Sequence, residues 1–492
     1  MPAVPVMMIC LRAVRKKWIM DEIIMSDERI MNEKRSTNEI KTNKRYILDI
    51  SGMNHEGQGV GRIGGFAVFV DGALEGEKVE ADIMKVSGNY AAGKLARVIE
   101  PSPCRISPFC NVYGRCGGCG LQHMEYGVQL KFKENVVREA IKRIGGLGSV
   151  AVHPAIGMRE PFKYRNKAQY PLKRVNGRIV AGFYAKRSHE VVECGECGIQ
   201  DGLSGKIVSL AKDFIERKHI SVYDEKTGKG LVRHIMTRVG FRSGEAMAVI
   251  VINGEDMPGK EELVHVLTKE IPEVNSIFLN INTRNTNVIL GDKNIRIYGS
   301  GTIADYIGTY EFRISPASFF QVNPVQTGIL YEKALEYASL SGNETVLDLY
   351  CGIGTIAIFM AGNAKKVIGI EEVGEAVRDA AGNAKLNGVS NVEFVAGKVE
   401  DVLPEMARAG VRADAAVIDP PRRGCGEAAL KAVAAIGPDR IVYVSCNPAT
   451  LARDVGRFAA LGYEVAEVQP VDMFPWTAHV ECVVLMTNVK NG

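Results

Sequence analysis

Between residues 46 and 100 apolar and β-branched positions come in short runs, 46–50, 57–65, 66–70, 78–83 and 94–99, broken by glycine and polar turn residues. Five short strands at such spacing predict a small β-barrel of the OB type, an architecture that often binds oligonucleotides. A helical period follows over 129–144, with Lys131, Lys133, Arg138, Lys142 and Arg143 interspersed. From residue 345 the texture changes again. Apolar strands at 345–349, 366–370, 392–395, 415–418 and 440–444 alternate with helical stretches, and a closing pair lies near 464 and 482–486. Repeated strand–helix units with strands apolar on both faces predict an α/β fold with a mostly parallel, doubly wound sheet. Ligands of such sheets bind beyond the carboxyl ends of the strands. Residues 1–40 are Met-rich and mixed in charge without a clean period, which predicts an N-terminal extension.

The chain has 492 residues, room for about three domains at roughly 150 residues each. Hydrophobic residues make up 46% and charged residues 24%, which excludes a mostly disordered or collagen-like chain. The net charge of +4 is too small to point to nucleic acid, so a basic surface has to be sought locally. Residues 159–187 supply one: nine Lys or Arg stand against a single acid, Glu160, with Phe162, Tyr164, Tyr170, Phe183 and Tyr184 between them. Such side chains offer phosphate contacts and stacking platforms for unpaired bases, although a solvated face of an amphipathic sheet has the same texture. The eleven cysteines are odd in number and densest around 110–119, a pattern of metal-binding or catalytic thiols in a reducing compartment, not of a disulfide framework. The apolar run 1–11 precedes Arg12, Arg15, Lys16 and Lys17, the reverse of a signal peptide, and is about half the ~20 residues that span a bilayer. The expectation is a cytoplasmic protein without a membrane span.

Three constellations carry chemistry. Asp348-Leu-Tyr350-Cys351-Gly352-Ile-Gly354 follows an apolar strand and opens a helix, and Glu371 ends the next strand, where it can accept hydrogen bonds from ribose hydroxyls. The three-glycine dinucleotide fingerprint is absent, which favours a nucleoside without a pyrophosphate, such as S-adenosylmethionine. In Asp419-Pro420-Pro421-Arg422 the prolines keep the acid at a strand end instead of letting it enter a helix. In Ser445-Cys446-Asn447-Pro448 a cysteine stands at another strand terminus, where a nucleophile can meet a bound ligand; Cys351, Cys425 and Cys482 lack the following Asn-Pro. The pairs Cys116-x2-Cys119 and Cys194-x2-Cys197 have spacing compatible with a four-thiolate zinc site.

Together these segments resemble the RNA (uracil-5-)-methyltransferase family over about residues 50–485. The resemblance also takes in Cys110-x5-Cys116-Gly-Gly-Cys119 with Leu-Gln-His after it, Tyr164-Arg-Asn-Lys-Ala-Gln, Ser315-Pro-x-x-Phe-Phe-Gln321-Val-Asn and His479-Val-Glu481. It implies a TRAM domain of the OB type over 41–100, a central α+β iron–sulfur domain over 101–315 and a Rossmann-like S-adenosylmethionine-dependent methyltransferase domain over 316–492. It further implies that Cys446 attacks C6 of uracil, that Glu481 removes the C5 proton, and that Gln321, Tyr350, Glu371 and Asp419 bind the methyl donor. Cys110, Cys116, Cys119 and Cys197 match the ligands of a [4Fe-4S] cluster, Cys194 being a neighbour that competes for the fourth place, with zinc as the alternative metal. The TRAM domain and the cysteine cluster look like the branch that acts on 23S ribosomal RNA. Transfer RNA is the alternative substrate, and a non-catalytic RNA-binding iron–sulfur protein is an alternative of another class. Against the latter stands the complete set of Gln321, Glu371, Asp419, Cys446 and Glu481. Thr355 and Lys398 differ from some relatives and take no role. The expected partner is RNA, with no DNA, membrane or obligate protein partner.

Overall fold

The computed structural model describes residues 40–489, so the expected extension over 1–40 lies almost wholly outside the described residues. Residues 45–100 form a six-stranded sheet. Its first strand, Arg45–Asp49, pairs with Lys78–Val86, and the chain continues directly into Gly52–Met53, which pairs with Gly59–Ile63 on the opposite edge. One length of chain thus touches both edges and closes the sheet, aided by Ser51 N donating to Val60 O at 2.9 Å. The closure encloses Leu48, Ile50, Val68, Val70, Val79 and Ile83. A buried Glu77 ties the barrel to the segment that follows: its carboxylate accepts from both ends of the Arg105 fork, at 2.5 and 2.8 Å, and from Leu74 N at 2.8 Å.

The second sheet has seven strands in the order Val191–Glu193, Arg178–Tyr184, Lys167–Val175, Val232–Val239, Ala246–Ile252, Val274–Ile281, Lys293–Gly299. Only Ala246–Ile252 and Val274–Ile281 run parallel. Helices Gly202–Arg217 and Lys260–Glu270 pack onto it through Phe214, Ile215, Leu263 and Leu267. The basic, aromatic stretch therefore lies largely on two adjacent strands, Lys167–Val175 and Arg178–Tyr184.

The C-terminal sheet has the order Val392–Ala396, Lys366–Glu371, Thr345–Leu349, Ala415–Ile418, Arg440–Ser445, Glu481–Asn488, Tyr463–Val471, with Ala151–Val152 as an added edge. The first five strands are parallel, as their apolar sequences require when helices cover both faces. Glu481–Asn488 enters antiparallel between Arg440–Ser445 and Tyr463–Val471. Helix Tyr126–Arg143 packs on helix Pro448–Ala460, with Val137, Ala140 and Ile141 in one core with Leu451, Ala452 and Val455. The segment after the cysteines is thereby anchored to the C-terminal sheet. Among the described residues no helix is long and apolar enough to cross a membrane.

Candidate active site

A cavity of about 820 Å³ opens at the carboxyl ends of the parallel strands, the place this topology reserves for ligands. Gln321, Tyr350, Glu371, Asp419, Cys446 and Glu481 all line it. Strand Thr345–Leu349 delivers Asp348 and then a tight turn in which Tyr350 (φ 64°) and Gly352 (φ 55°) are left-handed. The Tyr350 hydroxyl donates to Glu400 Oε1 at 2.9 Å. Glu371 ends the neighbouring strand and pins the same turn: its carboxylate accepts from Gly352 N at 3.1 Å and Val373 N at 2.8 Å. A carboxylate has about four lone-pair sites, so two remain for hydroxyl donors of a ligand. Gln321 precedes helix Pro324–Ala338, and its carbonyl accepts from Asn166 Nδ2 at 3.0 Å, which joins the basic stretch to the cavity lining.

Cys446 and Glu481 belong to segments far apart in sequence that the sheet register brings together. Ser445 pairs with Cys482 across antiparallel strands, so Cys446, the residue after the one strand, and Glu481, the first residue of the other, come to the same sheet edge and line the cavity together. Cys446 is half-buried. Asn447 caps the following helix by accepting from Ala449 N at 3.0 Å. Burial pushes the Cys446 thiol up to about 11, the Glu481 charge adding to the shift and the Arg422 guanidinium opposing it. Glu481 is 4% exposed, and burial, with Asp419 beside it, holds its carboxyl well above the usual range while Arg422 again opposes. Burial alone raises Asp419 to about 7. Asp348 is buried and also raised, Asp419 and Glu371 adding their charges.

The cavity lining carries both signs of charge: Glu371, Glu372, Glu400, Asp419 and Glu481 among the acids, Arg165, Lys167, Lys398, Arg422 and Arg423 among the bases. Acids of this kind suit a cationic sulfonium donor, and the bases suit a phosphate backbone. Lys167 is pushed down to about 7 by burial, Arg238 and Arg165 adding to the effect. No sequence motif assigns an individual role to Lys167, Arg422, Tyr331 or Phe319. Arg422 stood in the Pro-Pro-Arg motif and Lys167 in the basic stretch, but their approach to the site needs the folded chain. Tyr331 reaches the glycine-turn end of the cavity from inside helix Pro324–Ala338, its hydroxyl 2.8 Å from Thr355 Oγ1, and no local pattern marks it. Phe319 stands 69% exposed on the rim, where a base could stack.

Cys110, Cys116, Cys119, Cys194 and Cys197 share another wall of the same cavity. As the side chains stand, no group of three or more His, Cys, Asp or Glu among the described residues is drawn together as a metal-holding set. The thiols nevertheless feel one another. Burial pushes Cys119 up to about 12, with Cys197, Cys116 and Cys110 each adding to the shift. Cys194 and Cys197 share a hydrogen bond that pulls Cys197 down to about 6 and raises Cys194. Gly118 N donates to Cys116 Sγ at 3.4 Å. Thiols that influence one another, with a backbone N–H donating to sulfur, have the donor chemistry that iron–sulfur clusters and zinc both accept.

Comparison with known proteins agrees with this geometry. A family profile described as tRNA (Uracil-5-)-methyltransferase matches residues 281–489, and a TRAM domain profile matches residues 41–96. An uncharacterized RNA methyltransferase of Caldanaerobacter subterraneus subsp. tengcongensis is 51% identical over 91% of this chain and 99% of its own length. One from Clostridium tetani is 50% identical over 91% of this chain and 97% of its own length. Among solved structures, the Pyrococcus abyssi tRNA (uracil-54, C5)-methyltransferase in complex with S-adenosyl-L-homocysteine superposes with a TM-score of 0.72. It is 27% identical, and the match covers 90% of this chain and all of that one. The chain belongs to the RNA (uracil-5-)-methyltransferase family, with a TRAM domain ahead of an S-adenosylmethionine-dependent methyltransferase fold.

Proposed function

We propose that this chain methylates C5 of a uridine in 23S ribosomal RNA, with Cys446 as the nucleophile and Glu481 as the general base. The observation that carries the reading is the meeting of Cys446 and Glu481 in one cavity, whose acids suit a cationic donor and whose bases suit a phosphate backbone. The C5 position of uracil is a weak nucleophile. Cys446 remedies this by bonding through sulfur to C6, which moves the C5=C6 electron pair into an enolate and makes C5 nucleophilic. Bound S-adenosylmethionine supplies an electrophilic methyl group. Glu481 then takes the proton from C5, the C5=C6 bond re-forms, and Cys446 departs as a thiolate. Burial makes Glu481 a stronger base than an exposed carboxylate, as this step needs. The target base has to be unstacked to reach Cys446.

Gln321, Tyr350, Glu371 and Asp419 hold the methyl donor in this reading. Glu371 both pins the turn and offers its free lone pairs to the ribose, so Glu371→Ala is expected to weaken S-adenosylhomocysteine binding by roughly tenfold or more. Titration calorimetry checks this; unchanged affinity would remove Glu371 from the donor site.

Cys110, Cys116, Cys119 and Cys197 are assigned to a [4Fe-4S] cluster with Cys194 beside it. Methyl transfer moves no electron, so the cluster would serve to cross-link its segment. Protein purified without oxygen is expected to carry about four irons and four sulfides per chain. A single zinc in their place would reject the cluster. The ribosomal substrate is supported by the TRAM barrel and the cysteine wall. Transfer RNA is the second reading, favoured by the likeness to the Pyrococcus abyssi enzyme. Mapping 5-methyluridine in both RNAs from cells lacking this protein decides: loss confined to transfer RNA overturns the ribosomal assignment.

A further inference from the structure

Between strands Tyr463–Val471 and Glu481–Asn488 the chain forms a strap, residues 472–480, whose far end is Glu481 itself. The strap is gripped at its start and its middle by the segment that carries the cysteines and the helix that follows it. At its start, Asp472 and Lys133 form an ion pair with no exposed surface on either side chain, Nζ to Oδ1 at 2.5 Å. Lys133 also donates to Phe474 O at 3.0 Å, and Tyr126 donates to the second Asp472 oxygen at 2.8 Å. A buried ion pair with its polar atoms satisfied adds little stability, but its geometry is restrictive.

At the middle of the strap Trp476 is 4% exposed and left-handed, φ 67°, a conformation that a bulky residue keeps only where its surroundings impose it. Every polar group of this residue is engaged by the same segment. Its carbonyl accepts from Gly120 N at 3.0 Å and Leu121 N at 2.9 Å, immediately after Cys119. Its N–H donates to Gln129 Oε1 at 3.1 Å, and its indole donates to Pro161 O at 2.6 Å. The ring packs with Tyr164 and Ile199, and Cys119 and Cys197 lie against this cluster.

We propose that Trp476 is a positioning residue for proton removal at C5: through it the cysteine-bearing segment fixes the aim of Glu481. This gives the cysteine wall a part in a reaction that transfers no electron, and it rests on the reading of Glu481 as the base. The strap ends at the carboxylate, so a loosened Trp476 displaces Glu481 while leaving Cys446, on another strand, and the glycine turn in place. Errors of about 1 Å at a reacting group cost up to roughly a hundredfold in rate.

The test uses the full-length protein and target RNA tritiated at uridine C5. In Trp476→Ala, S-adenosylhomocysteine affinity and formation of the covalent Cys446–RNA adduct are expected to match the unaltered protein, while tritium release slows roughly tenfold or more. Trp476→Phe keeps a ring and loses the indole donor, so it is expected to slow release roughly threefold; it remains informative where Trp476→Ala does not fold. Release at the unaltered rate overturns the proposal, and so does a parallel loss of donor affinity, adduct and release. Glu481→Gln, assayed alongside, separates the two ideas. If Glu481→Gln is slow and the Trp476 variants are not, the positioning role alone falls; if Glu481→Gln releases tritium normally, the base assignment falls and the positioning role with it.

Discussion

Cys446→Ala is expected to abolish methyl transfer while leaving the affinity for S-adenosylhomocysteine within about twofold. The residues proposed to hold the donor, those of the glycine turn with Glu371 and Gln321, stand on strands and segments other than the one that carries Cys446. The reaction, by contrast, uses the one thiol set beside Glu481 in the cavity; Cys110, Cys116, Cys119, Cys194 and Cys197, which also line it, are assigned to the cluster. Cys482 is fully buried and Cys351 sits inside the donor turn, so neither can replace the sulfur at C6. Removing a nucleophile typically costs on the order of 10⁴-fold or more in kcat, because binding and electrostatics alone leave only a small residual rate. Transfer of a radioactive methyl group from donor to RNA measures the loss. Activity within tenfold of the unaltered enzyme would sink the covalent route.

The same site sets the direction of the pH dependence. Burial raises both groups that must lose a proton before the reaction can finish, the Cys446 thiol to about 11 and the Glu481 carboxyl well above its ordinary range. The reactive forms, thiolate and carboxylate, both grow as pH rises. The kcat/KM is therefore expected to climb with rising pH between about pH 6 and 9, with a slope of at least one while the thiol still titrates. A profile that falls over this interval would contradict the assignment of both roles. Arg422 faces both groups and favours the charged form of each, so Arg422→Gln is expected to move the profile to higher pH.

How much of this was legible beforehand follows from the physics of each part. The parallel strands announce themselves because burial on both faces forces apolar runs, and the acids that end them fall at the ligand edge by topology alone. The barrel was legible as short runs, but its closure depends on Gly52–Met53, two residues that carry no period. The meeting of Cys446 and Glu481 is a fact of register. It requires that Glu481–Asn488 run antiparallel beside Arg440–Ser445, and a one-residue slip would turn Glu481 to the other face. The motifs named both residues through a family resemblance, not through any local pattern that pairs them. Trp476, Lys133 and Asp472 were invisible for a related reason: their contacts span more than 300 positions, and a helical lysine normally reads as a solvated charge.

Glu481→Gln is expected to stop the reaction at a different place, and that difference is the sharper test. Glutamine keeps the volume of the buried side chain, so Cys446 still meets C6 and the methyl group still transfers, but no carboxylate remains to take the C5 proton. Elimination of Cys446 needs that proton gone. The covalent methylated enzyme–RNA species should therefore accumulate and survive on a denaturing gel, with tritium at C5 retained and turnover reduced on the order of 10²–10⁴-fold. The partner change at Cys446 reinforces the effect. With a neutral amide in place of Glu481, the thiol loses a charge that raises it, so attack at C6 becomes easier while release becomes harder. Accumulation of adduct in Glu481→Gln and its absence in Cys446→Ala would assign the two residues to successive steps. If instead Glu481→Gln yields neither adduct nor product, while still binding RNA and S-adenosylhomocysteine, Glu481 acts before bond formation at C6 and its role as the C5 base is wrong.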